Sequence, residues 1–417
     1  MKLKRLVITG MGALTPIGNN IESYWQGLIS GKSGAAPITR FDADKFKTRF
    51  ACEIKNYDVK NHFDRKEARK LDPFTQYAMV AADEAISDAD LQLEKLNKYR
   101  AGVIWGAGIG GLETFQNQIL EHASGDGTPK FNPFFIPKMI ADIAPGHISI
   151  KHGFMGPNYT TVSACASSAN ALIDALNTIR MGYCDVIVSG GSEAAVNLSG
   201  VAGFNAMHAL STNNDSPETA SRPFDATRDG FVLGEGAGAL ILEELDHAVD
   251  RGAKIYAEVI GGGLSSDAYH LTAPHPDGLG VIRVMENCLK DSGIRPEDVD
   301  AINTHGTSTP LGDVAELKAI STVFGDHVPN ININSTKSMT GHLLGAAGAI
   351  EAIASTLSIV NGIVPPTINH KVVDERIDGR LNLTLNQAQK RDVTIAMSNT
   401  FGFGGHNACV VLKKFNA

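Results

Sequence analysis

Two alanine-rich segments of equal length, residues 165–182 and 345–362, constrain the fold of this chain more than any other feature. Each segment ends in a glycine, a residue that commonly terminates a helix. The order of strands and helices predicted in the first half starts again from about residue 255. An approximate repeat of this kind indicates two copies of one folding unit. We therefore predict an N-terminal half, residues 1–253, and a C-terminal half, residues 254–417.

Strands alternate with helices in both halves, which predicts mostly parallel sheets covered by crossover helices. The segment 346–360 is apolar on every side, as expected for a helix that is covered all round. We predict a duplicated α/β fold whose central helices are sandwiched between two sheets. The additional length of the first half, residues 124–145 and 197–229, is expected to form a cap or a contact with another subunit.

The composition excludes several classes of protein. Hydrophobic residues make up 43% and charged residues 20% of the chain, as in ordinary soluble globular proteins. A net charge of −8 without a basic stripe argues against a nucleic-acid surface. Five cysteines without disulfide or metal-ligand spacing fit a reducing compartment. We find no signal-peptide pattern and no apolar run long enough to cross a bilayer, and we expect a cytoplasmic protein without membrane contact.

One cysteine lies where a predicted strand meets the first central helix. Residues 160–162 are β-branched and indicate a buried strand, and the helix follows from Cys165. The positive end of a helix can lower the pKa of a thiol to about 7 or below, so we expect a nucleophilic thiolate. Taken alone, a small cysteine that fills a crowded turn would be a sufficient interpretation.

The second half supplies polar and aromatic residues directly after its predicted strands. Ligands of open α/β sheets bind at this end of the strands, so these residues are expected to face a common site. They are His305 in the segment NTHGTSTPLGD, Lys337 and His342 in the segment NSTKSMTGHLLGAAG, and Phe401 and Phe403 in the glycine-rich segment SNTFGFGGHN. Each residue alone is weak evidence. Their joint occurrence with a cysteine in a duplicated fold indicates a catalytic site.

Several of these segments resemble a known family. The stretches DRKEARK at 64–70 and TGHLLGAAG at 340–348, with the segments around Cys165, His305 and Phe403, resemble the elongating β-ketoacyl-[acyl-carrier-protein] synthases of the thiolase-like superfamily. The resemblance covers essentially the whole chain and is greatest to the type II synthases of bacterial fatty-acid synthesis. It implies a layered αβαβα fold, with two mixed sheets around buried central helices. It also implies a homodimer, acyl carrier protein as the partner, and substrates carried on its phosphopantetheine arm without a further cofactor.

The resemblance implies a chemical role for each central residue. Cys165 would hold the growing acyl chain as a thioester. The backbone N–H groups of Cys165 and Phe403 would stabilise the oxyanion of acyl transfer. His305 and His342, as neutral donors, would stabilise the enolate that forms when malonyl-carrier protein loses carbon dioxide. Attack of this enolate on the thioester would lengthen the chain by two carbons.

Further residues match supporting positions of the family. Lys337 and Glu351 would orient the histidines and hold their protonation state, and Asp313 would support the site. The matches to substrate-binding positions are Thr272 and Thr307 for the phosphopantetheine arm, Ile109 in the acyl pocket near the dimer interface, and Phe401, with Phe403 as a gating aromatic residue. Asn303, Glu351 and Ser398 could surround a monovalent cation, and no other metal is expected.

A basic cluster matches the family's docking surface for the acidic carrier protein. It consists of Lys66, Arg69 and Lys70, which stand out on a chain of net negative charge. The alternative is a solvated start of a helix. The chain departs from the family pattern at His208 and Asn213, where family members often carry a basic residue.

Two other classes of function deserve comparison. The segment GAGIGG at 106–111 matches a dinucleotide fingerprint, but no strand with an acidic residue follows about 20 residues on; Asp126 lies in a turn-rich segment. A cysteine hydrolase would combine Cys165 with one histidine, and it gives no role to a second histidine or to Lys337. Within the superfamily, a type I synthase or a polyketide ketosynthase shares the same cysteine and histidines.

Overall fold

The computed structural model describes residues 3–416. Within this range the strands are β1 (Leu6–Leu14), β2 (Ala36–Pro37), β3 (Phe50–Ala51), β4 (Ala101–Gly106), β5 (Asn158–Thr161), β6 (Val186–Glu193), β7 (Gly236–Glu244), β8 (Ala257–Ser266), β9 (Ala301–Asn303), β10 (Asn332–Asn334), β11 (Ile363–Val364), β12 (Gln389–Lys390), β13 (Ile395–Gly402) and β14 (His406–Lys413). The helices are α1 (Ile21–Ile29), α2 (Arg65–Ala68), α3 (Pro73–Asp88), α4 (Leu112–Ala123), α5 (Phe135–Met139), α6 (Ile143–His152), α7 (Ser167–Arg180), α8 (Leu198–Ala206), α9 (Leu245–Asp250), α10 (Leu279–Ser292), α11 (Gly312–Phe324), α12 (Lys337–Thr340) and α13 (Ala347–Asn361).

Ten strands form one continuous mixed sheet, in the order β10-β9-β13-β14-β8-β1-β7-β6-β4-β5. If the five strands of each half are numbered along the chain, both halves have the order 3-2-4-5-1, so the second half repeats the topology of the first. The duplicated α/β fold is confirmed. The two expected sheets are joined edge to edge, because β1 pairs with β8 through Val7–Glu258 and Ile8–Ala257. The boundary between residues 253 and 254 stays a prediction.

The two central helices, α7 and α13, begin in the same way. A short 3-10 turn precedes each one, Ala164–Ala166 before α7 and Leu344–Ala346 before α13. The first residue of each turn has a left-handed backbone, with φ of 51° at Ala164 and 47° at Leu344. The helices also touch directly, since the Ala349 N–H donates to Ser168 Oγ at 2.9 Å.

The helix α13 is buried from Ala347 to Ile359, as its composition predicts. The segment Leu344–Asn361 has a mean hydropathy of 1.3, and by length and composition alone it could cross a membrane. The prediction that no apolar run reaches this length was therefore wrong. The physical reason is burial: 89% of the segment lies inside the protein, and a helix covered by protein needs the same composition as one covered by lipid.

The two edge strands of the ten-stranded sheet, β10 and β5, differ in how they are covered. The chain itself covers β10, because the Ile333 N–H donates to Asn382 O at 3.0 Å and the Thr384 N–H donates to Ile333 O at 2.8 Å. At the opposite end, β5 has a strand neighbour on one side only among the described residues. Exposed apolar side chains lie in and near β5, among them Tyr159 and Val162.

The additional segments of the first half carry the helices α5 and α8. The first segment exposes four large apolar side chains, those of Phe131, Phe134, Ile136 and Ile140. The second segment contributes Met207, His208 and Asp229 to the wall of a cavity described below. A contact of either segment with another subunit stays a prediction.

Candidate active site

A cavity of about 500 Å³ opens where the two halves meet. The first half contributes Cys165, which lies in the turn before α7. The second half contributes both histidines, His305 and His342, from the segments after β9 and β10. The fold therefore brings together residues that lie up to 177 positions apart in the chain.

The cysteine and the two histidines form one tight group. Cys165 Sγ lies 3.0 Å from His342 Nε2. The rings of His305 and His342 are nearly perpendicular, with centroids 5.2 Å apart. The sulfur and one nitrogen of each ring all lie within 4.8 Å of one another. Both imidazoles thus face the sulfur across the floor of the cavity.

The backbone of His342 is held by a segment of the first half. Its N–H donates to Val232 O at 2.8 Å, and its carbonyl oxygen accepts from the Gly234 N–H at 3.0 Å. The ring of Phe231 stands edge-on to the imidazole, with centroids 5.4 Å apart. These contacts fix His342 relative to the half that carries the cysteine.

The backbone of His305 is held by Glu316, which sequence reasoning missed. The carboxylate on α11 accepts from the N–H groups of His305 at 2.9 Å and Gly306 at 2.8 Å. Burial raises the pKa of Glu316 to about 7. An acidic residue among apolar residues of a helix, as in the segment AELKAI at 315–320, is the signal that could have revealed it.

A buried ion pair lies behind the histidines. Lys337 is almost fully buried and pairs with Glu351 on α13. Burial raises the pKa of Glu351 to about 7, and the nearby ammonium opposes that rise. Burial, reinforced by the charge of Lys337, lowers the pKa of both His305 and His342 well below the ordinary histidine value. Both rings are therefore neutral at pH 7.

The state of the cysteine differs from the prediction. Cys165 is 6% exposed, and burial raises the pKa of its thiol to about 12. The N–H groups of Phe403 and Cys165 and the charge of Lys337 oppose this rise without cancelling it. The expected resting thiolate was therefore wrong, because the loss of water around the sulfur outweighs the helix start. The neutral His342 ring lies within hydrogen-bonding distance of the thiol.

The glycine-rich loop 106–111 holds a carboxylate of the protein itself. Glu193, at the end of β6, accepts hydrogen bonds of 2.8 to 3.3 Å from the N–H groups of Gly108, Ile109 and Gly110. Its Oε2 also accepts from the Gly345 N–H at 3.0 Å. A nucleotide phosphate would need these same donors, so the dinucleotide interpretation does not fit. Sequence reasoning missed Glu193, although an acidic residue that ends a buried strand is a usable signal.

The remaining predicted residues divide into those on the cavity wall and those away from it. Thr272, Thr307, Phe401 and Phe403 line the cavity. Ile109 is not among the lining residues of the single chain and is 42% exposed. Asp313 is buried away from the wall, where it accepts from the Phe224 N–H at 2.9 Å and pairs with Arg228 at 3.2 Å. Asp313 thus fixes a neighbouring loop and does not touch the cavity.

Three buried oxygens near the central helix lack hydrogen-bond donors within the described range. They are Asn303 Oδ1, Glu351 Oε2 and Ser398 Oγ. Asn303 and Ser398 are register partners in β9 and β13, and α13 packs against β13. Unsatisfied buried oxygens are costly, and oxygen ligands suit hard cations. The donor set therefore fits the predicted monovalent cation.

The basic cluster lies on the surface at the end of α2. Lys66, Arg69 and Lys70 are exposed, and none of them forms an ion pair with another described residue. The side chain of Asp64 caps this helix by accepting from the N–H groups of Lys66 and Glu67. His208 is exposed at the mouth of the cavity. A role of the cluster in docking stays a prediction.

Family models match both halves of the chain. Residues 3–248 match the model described as "Beta-ketoacyl synthase, N-terminal domain", and residues 256–371 match the model described as "Beta-ketoacyl synthase, C-terminal domain". The chain belongs to the β-ketoacyl synthase family. It is 49% identical over 417 residues to the 3-oxoacyl-[acyl-carrier-protein] synthase 2 of Staphylococcus aureus strain COL, with 99% of each chain covered. It is also 49% identical to the Synechocystis protein of the same name, over 100% of this chain and 99% of that one.

Solved structures of β-ketoacyl synthases and ketosynthases share the fold. The ishigamide ketosynthase/chain length factor has a TM-score of 0.92 and 36% identity, over 99% of this chain and 100% of that one. A β-ketoacyl synthase from Burkholderia phymatum STM815 has a TM-score of 0.91 and 34% identity, with the same coverage. A type II PKS ketosynthase, solved in complex with its acyl-carrier protein, has a TM-score of 0.91 and 31% identity, also with that coverage. The predicted thiolase-like fold is thereby confirmed.

Proposed function

We propose that this β-ketoacyl synthase is an elongating 3-oxoacyl-[acyl-carrier-protein] synthase, an acyltransferase of fatty-acid synthesis. It condenses an acyl chain on Cys165 with malonyl-carrier protein and releases carbon dioxide. The observation that carries the proposal is the cysteine sulfur 3.0 Å from a neutral histidine, with a second neutral histidine beside it, on the floor of an open cavity. The two curated relatives at 49% identity carry the name of this activity.

The first step is transfer of the acyl chain. The sulfur attacks the thioester carbonyl of acyl-carrier protein while His342 Nε2 accepts the thiol proton. The backbone N–H groups of Cys165 and Phe403, which point at the sulfur, stabilise the oxyanion that forms. The carrier thiolate leaves and takes up the proton from His342. The neutral imidazole then acts in the next step as the tautomer that carries its hydrogen on Nε2.

The second step is loss of carbon dioxide from malonyl-carrier protein. His305 and His342 donate hydrogen bonds to the thioester oxygen of the malonyl group, on which negative charge develops as carbon dioxide departs. A neutral imidazole still carries one N–H group that can donate to the developing negative charge. Burial and the nearby charge of Lys337 keep both rings in this neutral form. The carbon of the resulting enolate then attacks the Cys165 thioester. Collapse of this adduct expels the sulfur as a thiolate, which takes up a proton from solvent, and gives a 3-oxoacyl chain two carbons longer.

The path of the substrate follows the cavity wall. Thr307 is buried and Thr272 is exposed, and both line the cavity that leads from solvent to Cys165. Their hydroxyl groups suit the amide-rich phosphopantetheine arm, which must reach the sulfur from outside. Phe401 and Phe403 form part of the same wall, where they can exclude water from the enolate. Ile109 is proposed to line the acyl pocket only when a second subunit completes it.

A fatty-acid role is favoured over a polyketide role by the degree of similarity. Identity reaches 49% with synthases named for 3-oxoacyl-[acyl-carrier-protein] synthesis and 36% with the ishigamide ketosynthase. A cysteine hydrolase has no use for a second neutral histidine or for a buried lysine beside it. The oxidoreductase alternative lacks free donors in its glycine-rich loop, as shown above.

The partners follow from two surfaces. The basic cluster Lys66, Arg69 and Lys70 suits an acidic carrier protein, because these cations are exposed and have no acidic partner among the described residues. The outer edge of β5 suits a second copy of this chain, because an unpaired edge flanked by apolar side chains invites strand addition. We propose a cytoplasmic homodimer that needs no cofactor beyond the carrier arm, with a monovalent cation at Asn303, Glu351 and Ser398.

Replacement of Cys165 tests the proposal. The Cys165→Ala variant should lose all condensation of acyl- and malonyl-carrier protein and should retain some release of carbon dioxide from malonyl-carrier protein. The matched control is Cys184→Ala, which removes another buried cysteine and should keep condensation. Unchanged condensation in Cys165→Ala would overturn the proposal. Release of free acid without carbon dioxide by the unaltered protein would favour a hydrolase.

A further inference from the structure

The three side chains at the floor of the cavity also have the composition of a metal site. Cysteine and histidine are the usual zinc ligands, and three protein ligands with an open fourth position are typical of accessible zinc sites. Among the described residues, Cys165, His305 and His342 are the one group of three or more such side chains whose ligand atoms converge. A carrier-linked substrate uses the same three residues in the proposed reaction.

We propose that Cys165, His305 and His342 form an inhibitory zinc site that closes the enzyme when its cysteine is not acylated. The metal would bind through the cysteine sulfur and one nitrogen of each histidine, with the fourth position open to the cavity. The inhibitory role rests on the proposed function, whereas zinc binding itself needs only the three side chains.

The geometry requires small adjustments. Zinc bonds to sulfur at about 2.3 Å and to nitrogen at about 2.0–2.1 Å, so two tetrahedral ligand atoms lie about 3.3–3.6 Å apart. The sulfur and the His342 nitrogen are 3.0 Å apart, and all three ligand atoms lie within 4.8 Å. Side-chain shifts of about 1 Å therefore bring the set to zinc geometry. His305 is half-buried and faces the cavity, so the metal has a path of entry.

Zinc binding at this site should change the number of bound protons by a defined amount. Each imidazole binds the metal through one ring nitrogen in its neutral form. The thiol must lose its proton, because zinc binds the thiolate. The reaction therefore forms one Zn–S bond, breaks one S–H bond, and passes one proton to the buffer. An acyl group on Cys165 removes the thiolate ligand, so the acylated enzyme should resist the metal.

Calorimetry of the full-length protein with zinc chloride tests the site. We expect one zinc per chain, with about one proton released when the titration at pH 7 is repeated in two buffers of different ionisation enthalpy. The Cys165→Ala and His305→Ala variants should each bind zinc at least about 100-fold more weakly. Prior alkylation of the protein with iodoacetamide should have the effect of Cys165→Ala. The Cys184→Ala and His270→Asn variants, which remove a cysteine and a cavity-wall histidine outside the group, should bind like the unaltered protein.

A second readout separates loss of a ligand from loss of the fold. Cobalt(II) bound through a thiolate gives a sulfur-to-metal charge-transfer band, which should appear in the His270→Asn variant and be missing in Cys165→Ala. Undiminished zinc affinity in Cys165→Ala, or no proton release, would overturn the site. Condensation is measured separately in the presence of a chelator. Zinc binding without condensation in that assay would reject the proposed function and leave the metal site standing.

Discussion

The two copies of the fold begin their central helices with the same kind of turn. In one copy, called the closed turn, a backbone N–H is bonded to a carboxylate of the protein, and in the other, called the open turn, it is not. The open turn, Ala164–Ala166, presents Cys165, and the closed turn, Leu344–Ala346, has Gly345 at the equivalent position. The Gly345 N–H donates to the carboxylate of Glu193 at 3.0 Å. The Cys165 N–H points at its own sulfur and meets no carboxylate.

The difference arises at the end of one strand in each half. The fourth strand of the first half, β6, ends in Glu193, and the fourth strand of the second half, β13, ends in Gly402. A Cβ at Gly402 would lie 3.2 Å from the Cys165 nitrogen and 2.6 Å from Ser163 O. A side chain there would therefore crowd the backbone around the Cys165 N–H.

The comparison shows how a duplicated fold acquires a single reaction centre. The closed turn satisfies its backbone donor internally and thereby stabilises the junction between the halves. In the proposed mechanism, the open turn keeps its donor for a charge that exists only during the reaction, as expected when catalysis depends on preorganised dipoles. The same backbone geometry would then serve stability in one copy and chemistry in the other.

The largest effect is expected from closing the open turn. Gly402→Ala should slow formation of the acyl-Cys165 thioester by about 100-fold or more, because the added carbon displaces the N–H donor from the oxyanion. Intact-mass spectrometry of the protein after brief incubation with acyl-carrier protein measures this rate. Gly379→Ala is the control, since a Cβ at Gly379 meets no atom within 4 Å. A normal acylation rate in Gly402→Ala would show that the glycine at this position is not needed to keep the Cys165 N–H available.

Opening the closed turn should affect stability first. In Glu193→Gln the amide retains one acceptor and turns a donor toward backbone N–H groups, which should cost about 2 kcal/mol of unfolding free energy. Urea denaturation measures the loss. The exposed Glu375 provides the control Glu375→Gln, which should change stability little. Equal stability of the two variants would show that Glu193 does not hold the closed turn.

The pH dependence sharpens the electrostatic side of the comparison. Burial lowers the pKa of His305 in the folded state. As the pH falls below about 6.5, His305 therefore binds a proton in the unfolded chain but not in the folded chain. This contribution destabilises the fold at low pH and vanishes above that value. Between pH 6.5 and 5.5, the free energy of unfolding should therefore decrease by about 1 kcal/mol less in His305→Asn than in the unaltered protein.

Urea denaturation at the two pH values measures that difference, and the variant of an exposed histidine, His62→Asn, is measured in parallel as the control. An identical pH profile in His305→Asn and the unaltered protein would mean that His305 titrates normally in the folded state. The neutral donor assigned to it in decarboxylation would then be untenable below pH 7.

The smallest effect concerns delivery of the substrate to the open turn. Lys66→Glu should raise the apparent KM for malonyl-carrier protein by about two- to fivefold at low salt, because an exposed ionic contact is weak. The increase should shrink as salt screens the charges. Lys290→Glu reverses an exposed lysine of the second half and should leave KM unchanged. Equal KM values in both variants would show that the basic cluster of the first half does not dock the carrier protein.

Local patterns in the sequence were sufficient to predict much of the fold. The two alanine-rich segments predicted to be central helices are α7 and α13 with their preceding turns. Apolar periodicity, small residues and terminal glycines act over a few positions, so they can be read without the tertiary structure. The approach of Cys165 to both histidines was also foreseeable, because it follows from strand ends meeting at one edge.

The features that escaped prediction depend on residues far apart in the chain. Glu193 and Gly345 are 152 positions apart, and no local pattern says which backbone donors a buried carboxylate will meet. The protonation of Cys165 likewise depends on how completely distant segments of the chain bury the sulfur. The pairing of β1 with β8 involves two residue pairs, too few to leave a sequence signal.

The division of the reactive groups between the halves has a consequence for synthesis on the ribosome. The nucleophile is translated early, whereas both imidazoles and the Phe403 backbone donor come from the last third of the chain. No nascent fragment that ends before Phe403 contains the whole set. Condensing activity is therefore expected only after the final strands have docked and brought the Phe403 N–H to the sulfur.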